Sequence, residues 1–186
     1  MRVVAMDVGR KNFAIRAEEI KFKVEPLHYD LVNFQCDKAN REFFIKMTAY
    51  LDDLDFSDFD LVLIEEQMQY MKIKGVVVGA AVENIRIQHF LETYFLIKYP
   101  NIPTELVPAK SKYPAELSGE TKSVRKHWCV DRMREIYLER GDEYSLDRLD
   151  REKTFEKKDD LADASLLILA HAKKYPEQFP ILMEDL

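Results

Sequence analysis

The segment Arg2-Val-Val-Ala-Met-Asp-Val8 constrains the fold more than any other. Its β-branched and apolar residues read as a strand buried inside a sheet, broken by Gly9-Arg10-Lys11. The strand ends on a carboxylate, Asp7, which is expensive to bury unless a cation accompanies it. Leu61-Val-Leu-Ile64 repeats the pattern, a short apolar strand running directly into Glu65 and Glu66. Two strands that end in acid imply a sheet with carboxylates gathered at one edge, provided the strands are neighbours.

The rest of the chain reads as elements that would surround such a sheet. Residues Asn12 to Ala17 and His28 to Phe34 are expected to continue the first strand as an antiparallel meander. A helix is expected from Asp37, with Phe43, Phe44, Met47, Tyr50, Leu51 and Leu54 near helical spacing and the acidic run from Asp52 to Asp60 ending it. Gly75 to Ala81 opens a long helix through about Lys98, apolar on more than one face, and Gly75 with Gly79 has the spacing of a close helix contact. Glu105 to Val107 reads as a short strand, Pro108 to Gly119 as a lysine-bearing loop and Thr121 to Glu139 as a helix. Gly141 to Glu156 is dense in charge and almost free of aliphatic residues, the pattern of a solvated loop or insertion. Lys157 to Tyr175 forms the last helix, with Leu161, Ala164, Leu167, Ile168 and Ala172 as its core stripe and Pro176 as its stop. No repeat or second core interrupts this order, so a single domain over residues 1–186 is expected.

Composition narrows the function. The chain has 186 residues, 47% of them hydrophobic, and a length that lets a globular domain bury about 70% of its unfolded surface. Its five glycines build no glycine-rich phosphate loop, so no nucleotide cofactor is expected. Cys36 and Cys129 lack metal-ligand spacing and read as buried, reduced thiols. No apolar run approaches the roughly 18 to 20 residues needed to cross a bilayer, so a soluble, intracellular protein without membrane contact is expected. His28, His89, His127 and His171 form no ligand pattern.

Asp160 and Asp163 stand three apart, hence on one face of the last helix. If that helix packs across the ends of the two acid-terminated strands, Asp7, Glu65, Asp160 and Asp163 converge. Such a cluster repels itself in a low-dielectric site unless divalent metal compensates it. Ligation by oxygen alone selects Mg²⁺, with Mn²⁺ as substitute, over zinc or copper. Two such ions about 4 Å apart activate a water and stabilise the leaving oxygen in hydrolysis of a phosphodiester.

Three segments carry a resemblance. Met6-Asp7-Val8-Gly9-Arg10-Lys11-Asn12, Leu63-Ile64-Glu65-Glu66-Gln67 and Lys158-Asp159-Asp160-Leu161-Ala162-Asp163-Ala164 resemble the Asp-x-Gly-x-Lys-Asn, Ile-Glu-x-Gln and Asp-Asp-x-Ala-Asp signatures of the poxvirus Holliday junction resolvases. These are relatives of RuvC and the mitochondrial cruciform-cutting endonucleases, and the motifs stand in the family's order over nearly the whole chain. The resemblance implies an RNase H-like α/β fold, a mixed five-stranded sheet with helices on both faces. It also implies an active site of Asp7, Glu65, Asp160 and Asp163 holding two magnesium ions, with Glu65 preferred to Glu66 and Asp159 a neighbour. The implied activity is a structure-selective endonuclease that resolves four-way DNA junctions by paired nicks as a homodimer. The implied setting is viral DNA processing in the host cytoplasm. Another RNase H-like nuclease, acting on RNA:DNA hybrid or other branched DNA, and a non-catalytic junction-binding protein are the competing readings.

The net charge of −6 first argues against a nucleic-acid partner, but its distribution does not. From Lys110 to Arg134 seven basic residues stand against three acidic ones, while from Asp37 to Glu66 three stand against nine. Lys110, Lys112, Lys122, Arg125 and Lys126 are therefore candidate phosphate contacts. Lys122 is singled out for the active site because Glu120-Thr-Lys-Ser-Val-Arg125 resembles the start of the RuvC-type helix whose lysine reaches it, with Lys110 and Lys112 as alternatives. Tyr113 and Trp128 read as core residues first and as base-stacking surfaces second. The apolar helix from about Val76 to Lys98 is the candidate dimer contact.

Overall fold

Strand β1 (Arg2–Asp7) lies in the middle of the sheet, as its unbroken apolar sequence requires. This computed structural model describes residues 1–67, 72–73, 76–77 and 79–185. In it, β1 pairs antiparallel with β2 (Phe13–Ile20) and parallel with β4 (Leu61–Glu66). The outer strands are β3 (Val24–Val32), antiparallel to β2, and β7 (Thr104–Pro108), parallel to β4. The order β3-β2-β1-β4-β7 makes a mixed five-stranded sheet, and β5 (Lys72–Ile73) with β6 (Val76–Val77) forms a separate hairpin. The expected meander and both acid-terminated strands are present, and those two strands are neighbours.

The two-residue period of the strands divides the core. Val3, Ala5, Leu61 and Leu63 pack against α3 (Lys122–Arg140), α4 (Glu143–Arg151) and α5 (Phe155–Lys174). Val4, Met6, Val62 and Ile64 pack on the opposite face against α1 (Arg41–Asp52) and α2 (Gly79–Lys98). Both faces of β1 and β4 are thus covered, which is why these strands read as continuous apolar runs. Asp7 and Glu65 carry the parity of Val3, Ala5, Leu61 and Leu63, and so belong to the face covered by α5.

Three expectations change. The first helix starts at Arg41 rather than near Asp37, because the Asn40 side chain caps it by accepting from the Phe43 amide. The helix expected from about Val76 starts at Gly79, with Val76 and Val77 taken into the hairpin; Gly75, half of the proposed close-contact pair, lies outside the described residues.

The third correction concerns residues 141–156, which are not a solvated loop. Gly141, at φ 65° where a side chain would be strained, closes α3, and Asp142 caps α4 by accepting from the Ser145 amide at 2.9 Å. This helix is anchored by charge. Arg16 of β2 is fully buried, with Nη2 2.8 Å from Glu18 and 3.0 Å from Asp142, a hydrogen bond to Ser145 Oγ and its guanidinium over the rings of Tyr29 and Tyr137. Leu149 supplies the apolar contact. Among the described residues, no helix is long and apolar enough to cross a membrane.

Candidate active site

The sheet places Asp7 and Glu65 at the same end of adjacent parallel strands, because Met6 is in register with Ile64. Helix α5 crosses that face and brings Asp163 to them, so that one oxygen of each of the three carboxylates lies within 4.8 Å of the others. Lys112 enters this cluster from the 3₁₀ turn Ala109–Lys112 that follows β7. Its side chain is 1% exposed, and Nζ stands 2.7 Å from Glu65 Oε1, 2.7 Å from Asp163 Oδ2 and 3.8 Å from Asp7 Oδ1. Three carboxylates face one ammonium.

The proton affinities follow from that imbalance. Burial pushes the Asp7 carboxyl well above the usual range, and the neighbouring Glu65 charge adds to the push. Burial pushes Glu65 upward as well, but the Lys112 charge and the hydrogen bonds from Asp7, Lys112 and Gln67 outweigh it and leave Glu65 low. For Lys112, burial favours the neutral amine and is outweighed by Asp163, Glu65 and Asp7, so the ammonium is held well above its ordinary value. Burial and the neighbouring charges thus hold Asp7 high, while Lys112 holds Glu65 low.

Asp160 is not in this close set. Its carboxylate accepts from Asn12 Nδ2 at 2.7 Å, and burial raises it to about 6, Asn12 opposing the rise. Asn12 sits in the turn after β1, where Gly9 is required: a Cβ there would collide with the Asn12 carbonyl. Glu65 is oriented in turn by Gln67, whose Nε2 donates to Oε2 at 2.6 Å while its amide donates to Gln88 of α2 at 2.7 Å. Glu66, one residue on, is exposed. Asp159 faces α3, where it is ion-paired with Lys126, and Cys129 is buried beside it.

The sequence favours Lys122 as the lysine of the acid site, with Lys110 and Lys112 as alternatives, and the structure brings Lys112 to the acids. The signal was available. Glu65 is in register with Val107, so the turn just past β7 must land beside Glu65 once β7 is accepted as its parallel neighbour. Lys122 is exposed in the first turn of α3, capped by Thr121, and Lys110 is also exposed. Arg125 lies over the Tyr113 ring at 5.5 Å, and both Tyr113 and Trp128 pack partly buried against the core. Asn12 and Gln67 stood inside the quoted motifs with no role assigned.

The donor set suits a hard cation. Asp7, Glu65 and Asp163 offer only oxygen, and Asp163 Oδ1 is buried with no hydrogen-bond partner, a carboxylate oxygen free for a ligand.

Searches of protein-family models and of curated proteins give no match. Solved structures do match. The fowlpox virus resolvase in complex with substrate Holliday junction DNA superposes with TM-score 0.66 at 18% identity, over 94% of this chain and 99% of that one. Thermus thermophilus RuvC in complex with a Holliday junction substrate gives 0.58 at 15% identity, over 94% and 96%. The yeast mitochondrial Holliday junction resolvase gives 0.56 at 18% identity, over 95% and 85%. At these identities the likeness is one of fold: the chain has the RNase H-like α/β fold of the poxvirus, RuvC and mitochondrial Holliday junction resolvases.

Proposed function

We propose that this chain is a Mg²⁺-dependent endonuclease that resolves four-way DNA junctions by hydrolysing phosphodiesters, acting as a homodimer. The observation that carries the reading is the meeting of Asp7, Glu65 and Asp163 at one end of two adjacent parallel strands, on a fold shared with resolvases that have been solved with junction DNA. Asp7, Glu65 and Asp163 hold the ion, and Asp160, on the same helix as Asp163, completes a second position. Bound divalent metal supplies water activation and charge stabilisation at the leaving oxygen. The protein's own contribution is to fix the carboxylates through Gln67 and Asn12, to keep the site largely out of water, and to present a buried cation, Lys112, where negative charge develops on the scissile phosphate.

Lys110, Lys122, Arg125 and Lys126, on the turns and the helix next to the acids, then track the phosphates of the junction arms. Recognition is of branched shape and backbone. Dimerisation uses the α1–α2 side: Ile45, Leu96 and Ile97 are large apolar residues exposed there, and a shallow cavity of about 480 Å³ lies between Phe44, Ile45 and Phe90. Two active sites related by a two-fold axis suit two opposed strands of a junction.

The test is incubation with four-way DNA, RNA:DNA hybrid and duplex DNA, with Mg²⁺ or chelator, beside Asp7→Asn. Paired nicks in the junction that need Mg²⁺, together with binding but no cutting by Asp7→Asn, are expected. Cleavage by Asp7→Asn, or binding alone by the wild type, rejects the reading; hybrid cutting moves it to another nuclease of this fold.

A further inference from the structure

Helices α3 and α5 meet on a second set of donors, in which Cys129 and Asp159 have no part in the proposed chemistry. Lys126 and Cys129 stand three apart on α3, and Asp159 and Asp163 four apart on α5, so each pair occupies one helix face. Where the faces meet, the Cys129 sulfur and one oxygen each of Asp159 and Asp163 lie within 4.8 Å of one another. Asp159 is 2% exposed. One of its oxygens receives the Lys126 ammonium, while the other, Oδ1, is buried with no partner at all. A buried carboxylate oxygen without a donor is costly, and Asp159 is not among the acids assigned to Mg²⁺, so nothing yet explains it.

We propose that Cys129, Asp159 and Asp163 form a second cation site, for a thiophilic divalent ion of the zinc class, which shares Asp163 with the candidate catalytic acids and inhibits the enzyme when filled. A thiolate donor favours such an ion over Mg²⁺, and it displaces the thiol proton to solvent on binding. At the tetrahedral angle, zinc–sulfur and zinc–oxygen bonds of about 2.3 and 2.1 Å put donors about 3.4–3.6 Å apart, so donors that lie within 4.8 Å of one another draw together by at most about 1.4 Å to close on the ion. Asp163 drawn to this ion is withdrawn from Asp7 and Glu65.

The inhibitory part rests on the nuclease reading; the site itself does not, and the experiment separates them. The probe is Cd²⁺, followed by the ultraviolet thiolate-to-cadmium charge-transfer band in the absence of DNA. The chain's two cysteines make the assignment clean: a saturable band is expected in wild type and in Cys36→Ser, and none in Cys129→Ser or Cys129→Ala, with circular dichroism verifying that the variants fold. Asp159→Asn is expected to weaken Cd²⁺ binding about tenfold or more. In the second arm, Zn²⁺ added over excess Mg²⁺ inhibits junction cleavage by wild type and not by Cys129→Ser, which keeps its Mg²⁺-dependent rate. A band that survives in the Cys129 variants, its absence from Cys36→Ser, or unchanged affinity in Asp159→Asn overturns the site. Equal inhibition of wild type and Cys129→Ser overturns its regulatory role. Absence of cleavage by every protein while the band behaves as expected refutes the nuclease reading and leaves the site standing.

Discussion

Replacing Lys112 by Met tests whether the acid cluster is a single charge-coupled unit. The substitution keeps most of the side-chain volume and removes an ammonium whose Nζ lies 2.7 Å from both Glu65 and Asp163. Removing one partner of a buried ion pair costs about 3–5 kcal/mol. For a chain of this length each kcal/mol moves the melting temperature by about 2–4 °C, so a fall of about 6–20 °C is expected in chelator at pH 8.

The pH dependence distinguishes this mechanism from a packing defect. In the wild type Glu65 is held below its ordinary value, so the stability it contributes is present above the unfolded-state carboxyl range and is lost as pH falls through the lower folded value. In Lys112→Met burial acts on Glu65 with no ammonium to oppose it, its pKa rises, and its contribution is instead lost as pH rises. Wild type and variant therefore diverge at neutral and alkaline pH and approach one another near pH 4. Mg²⁺ at a hundredfold excess over its dissociation constant stabilises by about 2.7 kcal/mol. It should rescue the variant more than the wild type, because the ion then replaces a missing charge instead of competing with Lys112. Thermal unfolding followed by circular dichroism at several pH values, with chelator or Mg²⁺, measures all of this. A fall under about 2 °C at pH 8, or a gap that is the same at pH 4 and pH 8, refutes the coupling.

Other perturbations probe the surroundings. Asn12→Ala removes the hydrogen bond that opposes the rise of Asp160, so its carboxyl should titrate above its present value of about 6, read by NMR, with Mg²⁺ affinity falling more steeply below pH 7; an unmoved titration dismisses Asn12 as a positioning residue. Arg16→Met strands Glu18 and Asp142 in the core and should cost about 3–5 kcal/mol in urea unfolding, whereas a loss under about 1 kcal/mol means that α4 is held by Leu149 and its apolar neighbours instead. Ile45→Asp places a charge on the exposed apolar side of α1 and should give a monomeric mass in light scattering with the fold intact; a dimeric mass moves the interface elsewhere.

How much of this was readable beforehand depends on the distance over which each cause acts. The strands β1 and β4 announce themselves because both faces are covered, so every residue from Val3 to Met6 and from Leu61 to Ile64 must be apolar. The parity of Asp7 and Glu65, and the short spacing of Asp160 and Asp163, are equally local. Helix α4 was hidden because what buries it is remote. Arg16 and Asp142 are 126 residues apart, and each alone reads as a surface charge. A fully buried guanidinium becomes intelligible only with Glu18, Asp142 and Ser145 around it, since their combined charge and hydrogen bonds offset its desolvation.

Lys112 has the same logic, with one difference. Its burial among Glu65, Asp163 and Asp7 follows from strand order, and strand order was partly within reach: a parallel β7 beside β4 delivers the turn after Val107 to the acid end of the sheet. Charge counting over Lys110 to Arg134 could not separate this lysine from its neighbours, because a sum over sequence treats a cation inside the site and one on the surface alike. Topology separates them. Lys122 begins a helix after an exposed loop and stays in water, whereas Lys112 is tied within five residues to a strand whose neighbour carries Glu65. The lysine that the sheet fixes among the acids is thus Lys112, whereas Lys110 and Lys122 stay exposed around it.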